Sequence, residues 1–160
     1  MAAAFNFIGA FAGTAVAKSI AGGLVDDAVM TQAIVAAALV GAITWNLFTW
    51  WFGIPSSSSH ALIGGLIGAT IVAAGPGALK LDGIWSKVVV PMVTSPLIGF
   101  LGGLVLMILL TWIFFRARRK PLATAFRRLQ VLSAGYMAFA HGSNDAQKTM
   151  GIITLALVAA

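Results

Sequence analysis

The sequence contains no cysteine and no glutamate. Without Cys, disulfides and thiol chemistry are excluded and nothing about redox compartment is recorded. Without Glu, four Asp stand against ten Lys and Arg, for a net charge of +6. Charge of either sign is scarce, at 9% of residues against the ~25% of an ordinary globular domain. In its place, 60% of the 160 residues are hydrophobic and the mean hydropathy is +0.99. Such a chain is an all-α integral membrane protein, and the first question is where it crosses the bilayer. A basic balance in a soluble protein would raise nucleic acid as a partner. Here six of the ten basic residues fall within residues 116–128, and no aromatic-basic surface is interleaved outside the apolar runs. That clustering signals topology and argues against a nucleic-acid partner.

Four apolar stretches precede the basic cluster, at residues 2–21, 31–52, 56–74 and 88–115, each near or above the ~20 residues that span a bilayer. A fifth begins near Leu129, is interrupted by polar residues, and resumes from Met150. The first run lacks a basic leading region, so no signal peptide is expected. The excess of positive charge places residues 116–128 in the cytoplasm, and counting back puts residues 75–87 outside. Residues 31–74 form a helical hairpin joined by "GIPS", which either spans or dips into the membrane. "FIGAFAG", "LIGGLIG" and "LIGFLGG" share Ile-Gly-x-x-x-Gly, whose glycines allow helices to approach closely.

Two stretches carry chemistry. In "GIPSSSSHALIGG" (53–65), Pro55 favours a turn and a run of serines stands where a helix begins. Ser56, Ser57, Ser58 and Ser59, with the free amides of that helix start and its positive dipole end, make an anion site; alternatively, one serine caps and the rest fill the turn. His60, one turn further, either donates to a bound anion or satisfies a carbonyl. The second stretch is "FAHGSNDAQKTMG" (139–151), where His141, Asn144, Asp145 and Lys148 lie in an otherwise apolar segment. Charges in mid-bilayer cost about 2.5–3.5 kcal/mol each on insertion scales, so they need a partner, an ion or water. Asp145 and Lys148, three apart, can pair on one helix face. Gly142 allows the backbone to break there, so that Asp, Asn and loose carbonyls could ligate a sodium ion or relay a proton.

"HGSNDAQKTMG" and "PSSSSH", in this order and separated by a basic connection, resemble the signatures of the PiT family of inorganic phosphate transporters, bacterial branch. The resemblance covers essentially the whole chain. It implies an inverted-repeat transporter with broken helices and a re-entrant helical hairpin, multi-pass in the cytoplasmic membrane. Residues 1–115 would then be the later part of the first membrane repeat, 116–128 the cytoplasmic connection, and 129–160 the start of the second. Each repeat of that family carries one Asn-Asp motif and one Ser-rich hairpin. This chain holds one of each, which reads as an internal piece of a longer transporter. The implied function is symport of inorganic phosphate, alone or as a metal-phosphate complex, with H+ or Na+, by a homo-oligomer (a dimer). Ser56, Ser57, Ser58, Ser59 and Asn144 would bind phosphate. Asn144 and Asp145 would take the coupling cation, with a Na+ at Asp145 as the one metal considered, and no cofactor is expected. His60, His141, Gly142 and Lys148 stand in supporting positions. Gln147 and Lys148 occupy places where many relatives carry small residues, which alters the local charge balance.

Two other readings use the same residues. A transporter for another oxyanion, such as sulfate, needs the same donors. An intramembrane serine hydrolase would use Ser58, His60 and Asp145, but a nucleophile and base two residues apart rarely reach productive geometry, and no Gly-x-Ser-x-Gly elbow is present. The chain is therefore expected not to be an enzyme.

Overall fold

The first apolar run does not make one span. It divides into α1 (Ala2–Gly9) and α2 (Ala15–Gly23), because Gly13 adopts φ +140°, a conformation that side chains resist. The computed structural model describes residues 1–159, the side chain of Arg119 excepted. Amides of residues 10–12 turn back to the carbonyls of Asn6, Ile8 and Gly9, so α1 ends in a tightened turn rather than running into α2.

Next come α3 (Gln32–Trp51) and α4 (Ser58–Ala74), an antiparallel hairpin. Each is started by its own hydroxyl: Thr31 accepts from the Ile34 amide at 3.3 Å, and Ser57 from the His60 amide at 3.4 Å. The two helices touch backbone to backbone, since a side chain at Gly65 would strike the Ala38 carbonyl. Of the repeated glycines, Gly9 serves helix contact and Gly13 the break. Gly64, Gly68, Gly99 and Gly103 face open space, so the repeat marks close packing only in part.

α5 (Leu81–Ile84), a π turn (Trp85–Val89) and α6 (Val90–Phe114) follow as one apolar rod. The π turn lies just before Pro91, whose missing N–H removes the bond that would close on Lys87. Together α3 and the Leu81–Phe114 rod are long and apolar enough to cross a bilayer. The last helix, α7 (Arg119–Val158), is continuous for 40 residues, about 60 Å at 1.5 Å per residue, against a hydrocarbon core of about 30 Å. It carries part of the basic cluster as helix, Pro121 being tolerated in its first turn. Among the described residues the only extended pairing is one bridge between Val25 and Leu79.

The core gathers α2, α3, α4 and α7 around Ile20, Leu24, Val35, Leu66, Ile152 and Leu155. α1 and α2 lie along α7, and three glycines make the approach possible. A side chain at Gly9 would meet the Phe139 carbonyl, and one at Gly142 the Asn6 backbone. One at Gly151 would come within 3.0 Å of the Ala17 carbonyl. By contrast α6 buries none of its described residues.

Two expectations follow. Gly142→Val should lower the thermal midpoint of the complete protein in detergent by the equivalent of about 1–3 kcal/mol or more, because rigid backbone has nowhere to move. Gly102→Val, which faces open space, should leave it unchanged. Topology is checked by an impermeant thiol reagent on intact cells. A cysteine at exposed Gly77 should label and one at Ala117 should not, whereas the reverse pattern would invert the charge-based orientation.

Candidate functional site

Helix α7 runs unbroken through the polar motif, and this corrects the expectation that Gly142 breaks the backbone. The glycine is spent on the close approach of α1 rather than on flexibility. Carbonyls within the motif therefore belong to helical hydrogen bonds, and its polar chemistry comes from side chains. The break lies in the facing segment, between α1 and α2.

Gln147 joins the two. It is 5% exposed, and its Oε1 accepts from the Val16 amide at 2.9 Å while its Nε2 donates to Ser143 Oγ at 3.1 Å. The Val16 amide is an orphan donor in the first turn of α2, and Thr14, the residue before that helix, caps it with no side-chain bond. Gln147 thus caps a helix 131 positions away in sequence. In the sequence Gln147 stands out only as a change in the motif's polar balance, and the signal for its role is a long amide side chain in an apolar segment.

Next on the helix, Asp145 is engaged at both oxygens. Lys148 Nζ lies 2.7 Å from Oδ1, and His141 Nε2 lies 3.0 Å from Oδ2. The i, i+3 pair anticipated from spacing is present, and His141 adds an i, i+4 partner. Asn144 is exposed. Among the described residues no group of three or more His, Cys, Asp or Glu side chains could hold a metal ion.

The serine run divides between two faces of the hairpin. Ser56 accepts from Trp45 Nε1 at 3.2 Å, and Ser56, Ser57 and His60 line a cavity of about 340 Å³ beside Trp45 and Gly65. Ser58 and Ser59 turn the other way. They line a cavity of about 310 Å³ with Asn46, Asp145, Lys148 and Thr149. A neighbouring cavity of about 250 Å³ adds Ser19 and Lys87 and shares Ser59, Leu62 and Lys148 with it. Two motifs more than 80 positions apart in sequence, counting Ser59 to Asp145, thus face one space. His60 stands on the opposite side from Ser58 and Asp145, so no Ser-His-Asp triad is assembled. What the shared cavity offers is hydroxyls at a helix start and an ammonium, beside a carboxylate.

A family model described as "Phosphate transporter family" matches residues 1–125 and 116–160. A probable low-affinity inorganic phosphate transporter of Mycobacterium bovis is 51% identical over 162 residues, covering 99% of this chain and 38% of the relative. One of Bacillus subtilis is 44% identical over 162 residues, covering 100% of this chain and 48% of that protein. A low-affinity inorganic phosphate transporter of Escherichia coli K12 is 34% identical over 187 residues, covering 99% and 38%. The chain thus spans less than half the length of each of these relatives. No solved structure matches it.

Removing the cap tests the Gln147 geometry. Gln147→Ala should cost about 1–3 kcal/mol, since the Val16 amide is left without a partner, and thermal melting in detergent reads this as a lowered midpoint. Gln147→Glu keeps the accepting oxygen and places negative charge at a helix start, so it should retain most of the stability.

Proposed function

The chain belongs to the phosphate transporter family, whose members are transporters rather than enzymes, and from that premise we propose that it forms part of a symporter moving inorganic phosphate across the cytoplasmic membrane, coupled to H+ or Na+. The observation that carries this reading is the one cavity lined by Ser58 and Ser59 from α4 and by Asp145 and Lys148 from α7. An oxyanion there meets hydroxyl donors, the positive end of α4 and an ammonium, beside the apolar side chains of Leu39, Ile43 and Leu62. Ser57, on the other face of the hairpin, accepts a hydrogen bond from the His60 amide and so starts the helix whose positive end faces this cavity. Asp145 supplies the negative charge that a coupling cation or proton would neutralise, and Asn144, next along α7, offers a further oxygen.

Phosphate enters with more than one net negative charge near neutral pH, so co-transport of positive charge lowers the cost of carrying it through hydrocarbon. Alternating access would come from rocking of two inverted repeats, the second completed by residues beyond this chain, around a site near the midplane. The same reading allows phosphate to travel as a metal-phosphate complex and the transporter to work as a dimer in the bilayer. Another oxyanion could use the same donors, but sulfate has no proton to give a carboxylate at neutral pH. Arsenate should therefore compete with phosphate in uptake, and sulfate should not.

In the complete transporter, Ser58→Ala should raise the KM for phosphate about tenfold or more, the worth of a hydrogen bond to a charged ligand at roughly 1.5–3 kcal/mol. Asp145→Asn should reach the membrane but no longer accumulate phosphate, and the double variant Asp145→Asn, Lys148→Gln should stay inactive. Normal uptake by a Ser57, Ser58, Ser59→Ala triple variant would reduce the serine run to a helix cap, and recovery in the double variant would make Asp145 a structural partner of Lys148.

A further inference from the structure

We propose that Lys148 is a tethered cation standing where a free metal ion would otherwise bind Asp145, so that this site excludes sodium and lends its ammonium to the incoming oxyanion. The inference rests on the phosphate-transport reading given above.

Three observations carry it. First, the Lys148 ammonium is 2.7 Å from Asp145 Oδ1, and its side chain is only 25% exposed, so it occupies a partly sheltered position at the carboxylate. The second oxygen is taken by His141. A sodium ion approaching either oxygen would have to displace a hydrogen-bonded partner and then lie beside an ammonium held on the same helix, which is like-charge contact. Second, a desolvated sodium ion needs several oxygen ligands, and the backbone of α7 has none to spare. α7 is continuous across the motif, so its carbonyls are committed to the helix, and no acidic cluster exists among the described residues. Third, Lys148 lines both the cavity shared with Ser58, Ser59 and Asp145 and the adjoining one shared with Ser19, Ser59 and Lys87. Its flexible four-carbon stem lets the ammonium leave the carboxylate for an oxyanion in either space without moving the helix.

The charged and titratable groups facing Lys148 are few. α7 supplies Asp145 and His141, and the π turn supplies Lys87 at the adjoining cavity. α3 contributes Asn46, α4 contributes Ser58 and Ser59, and α2 contributes Ser19, all neutral. Among the described residues Asp145 is the only acid lining either space, so once Lys148 moves to the anion its Oδ1 is open to a proton while Oδ2 stays with His141.

The test uses the complete transporter in proteoliposomes, with phosphate uptake measured in sodium chloride and in choline chloride. The native protein should show the same uptake in both. Lys148→Met should become sodium-stimulated, with the KM for phosphate raised about tenfold because a charged donor is lost. Lys148→Arg should keep the indifference to sodium. In detergent, sodium should raise the melting midpoint of Lys148→Met but not of the native protein, and adding Asp145→Asn should abolish that rise. Sodium-stimulated uptake by the native protein would overturn the inference, as would a Lys148→Met variant that neither melts nor transports differently in sodium. If the Met variant does not reach the membrane, Lys148→Gln is read in the same assays. Native proteoliposomes that take up no phosphate in either salt would instead overturn the transport reading itself.

Discussion

A backbone amide at the start of a helix needs an acceptor, and where water is kept out only another element can supply one; the arrangement around α2 follows from that constraint. The break after α1 leaves donors without acceptors, and one of them, the Val16 amide, is met by Gln147 from α7. For that side chain to reach, α1, α2 and α7 must lie nearly backbone to backbone, which is why Gly9, Gly142 and Gly151 stand where any side chain would collide. Gln147 is adjacent to Lys148, so the same contact that repairs the break also sets the height at which the lysine faces the serine-lined cavity. Packing and polar satisfaction are here one requirement.

The Asp145 group shows how charge is made tolerable in an apolar setting. His141, Asp145 and Lys148 lie on successive turns of one helix face, so each finds a partner without any help from another element. That leaves the opposite side of the motif, with Gly142 and Gln147, free for helix packing. The motif is thus two-sided: one edge is built for contact with α1 and α2, the other for whatever enters the cavity.

Local features were legible in the sequence. The hairpin, the serine cap and the Asp145–Lys148 pair depend on residues within a few positions of one another, and turn chemistry or helical spacing suffices to foresee them. Family resemblance reached further, and the family match agrees with it. What stayed hidden depends on distant partners. Gly142 reads equally well as a hinge or as a contact point, and only the presence of Asn6 against it decides. Gln147 reads as a polar intrusion until Val16 is placed beside it. The serine run looks uniform along the chain, yet Ser56 and Ser57 lie in the extended segment before α4 while Ser58 and Ser59 are its first residues, so the two pairs part to different faces.

The unbroken course of α7 has a mechanical consequence. Between Arg119 and Asp145 lie 26 residue steps of continuous helix, a stiff arm of about 39 Å at 1.5 Å per residue. Pivoting such an arm by about 10° at the polar motif sweeps its basic end sideways by about 7 Å, whereas a kinked helix would absorb the same rotation near its hinge. Small adjustments around the carboxylate are thereby magnified into displacement at the far end of the rod, and movements imposed on that end are returned, geared down, to the groups that hold Asp145.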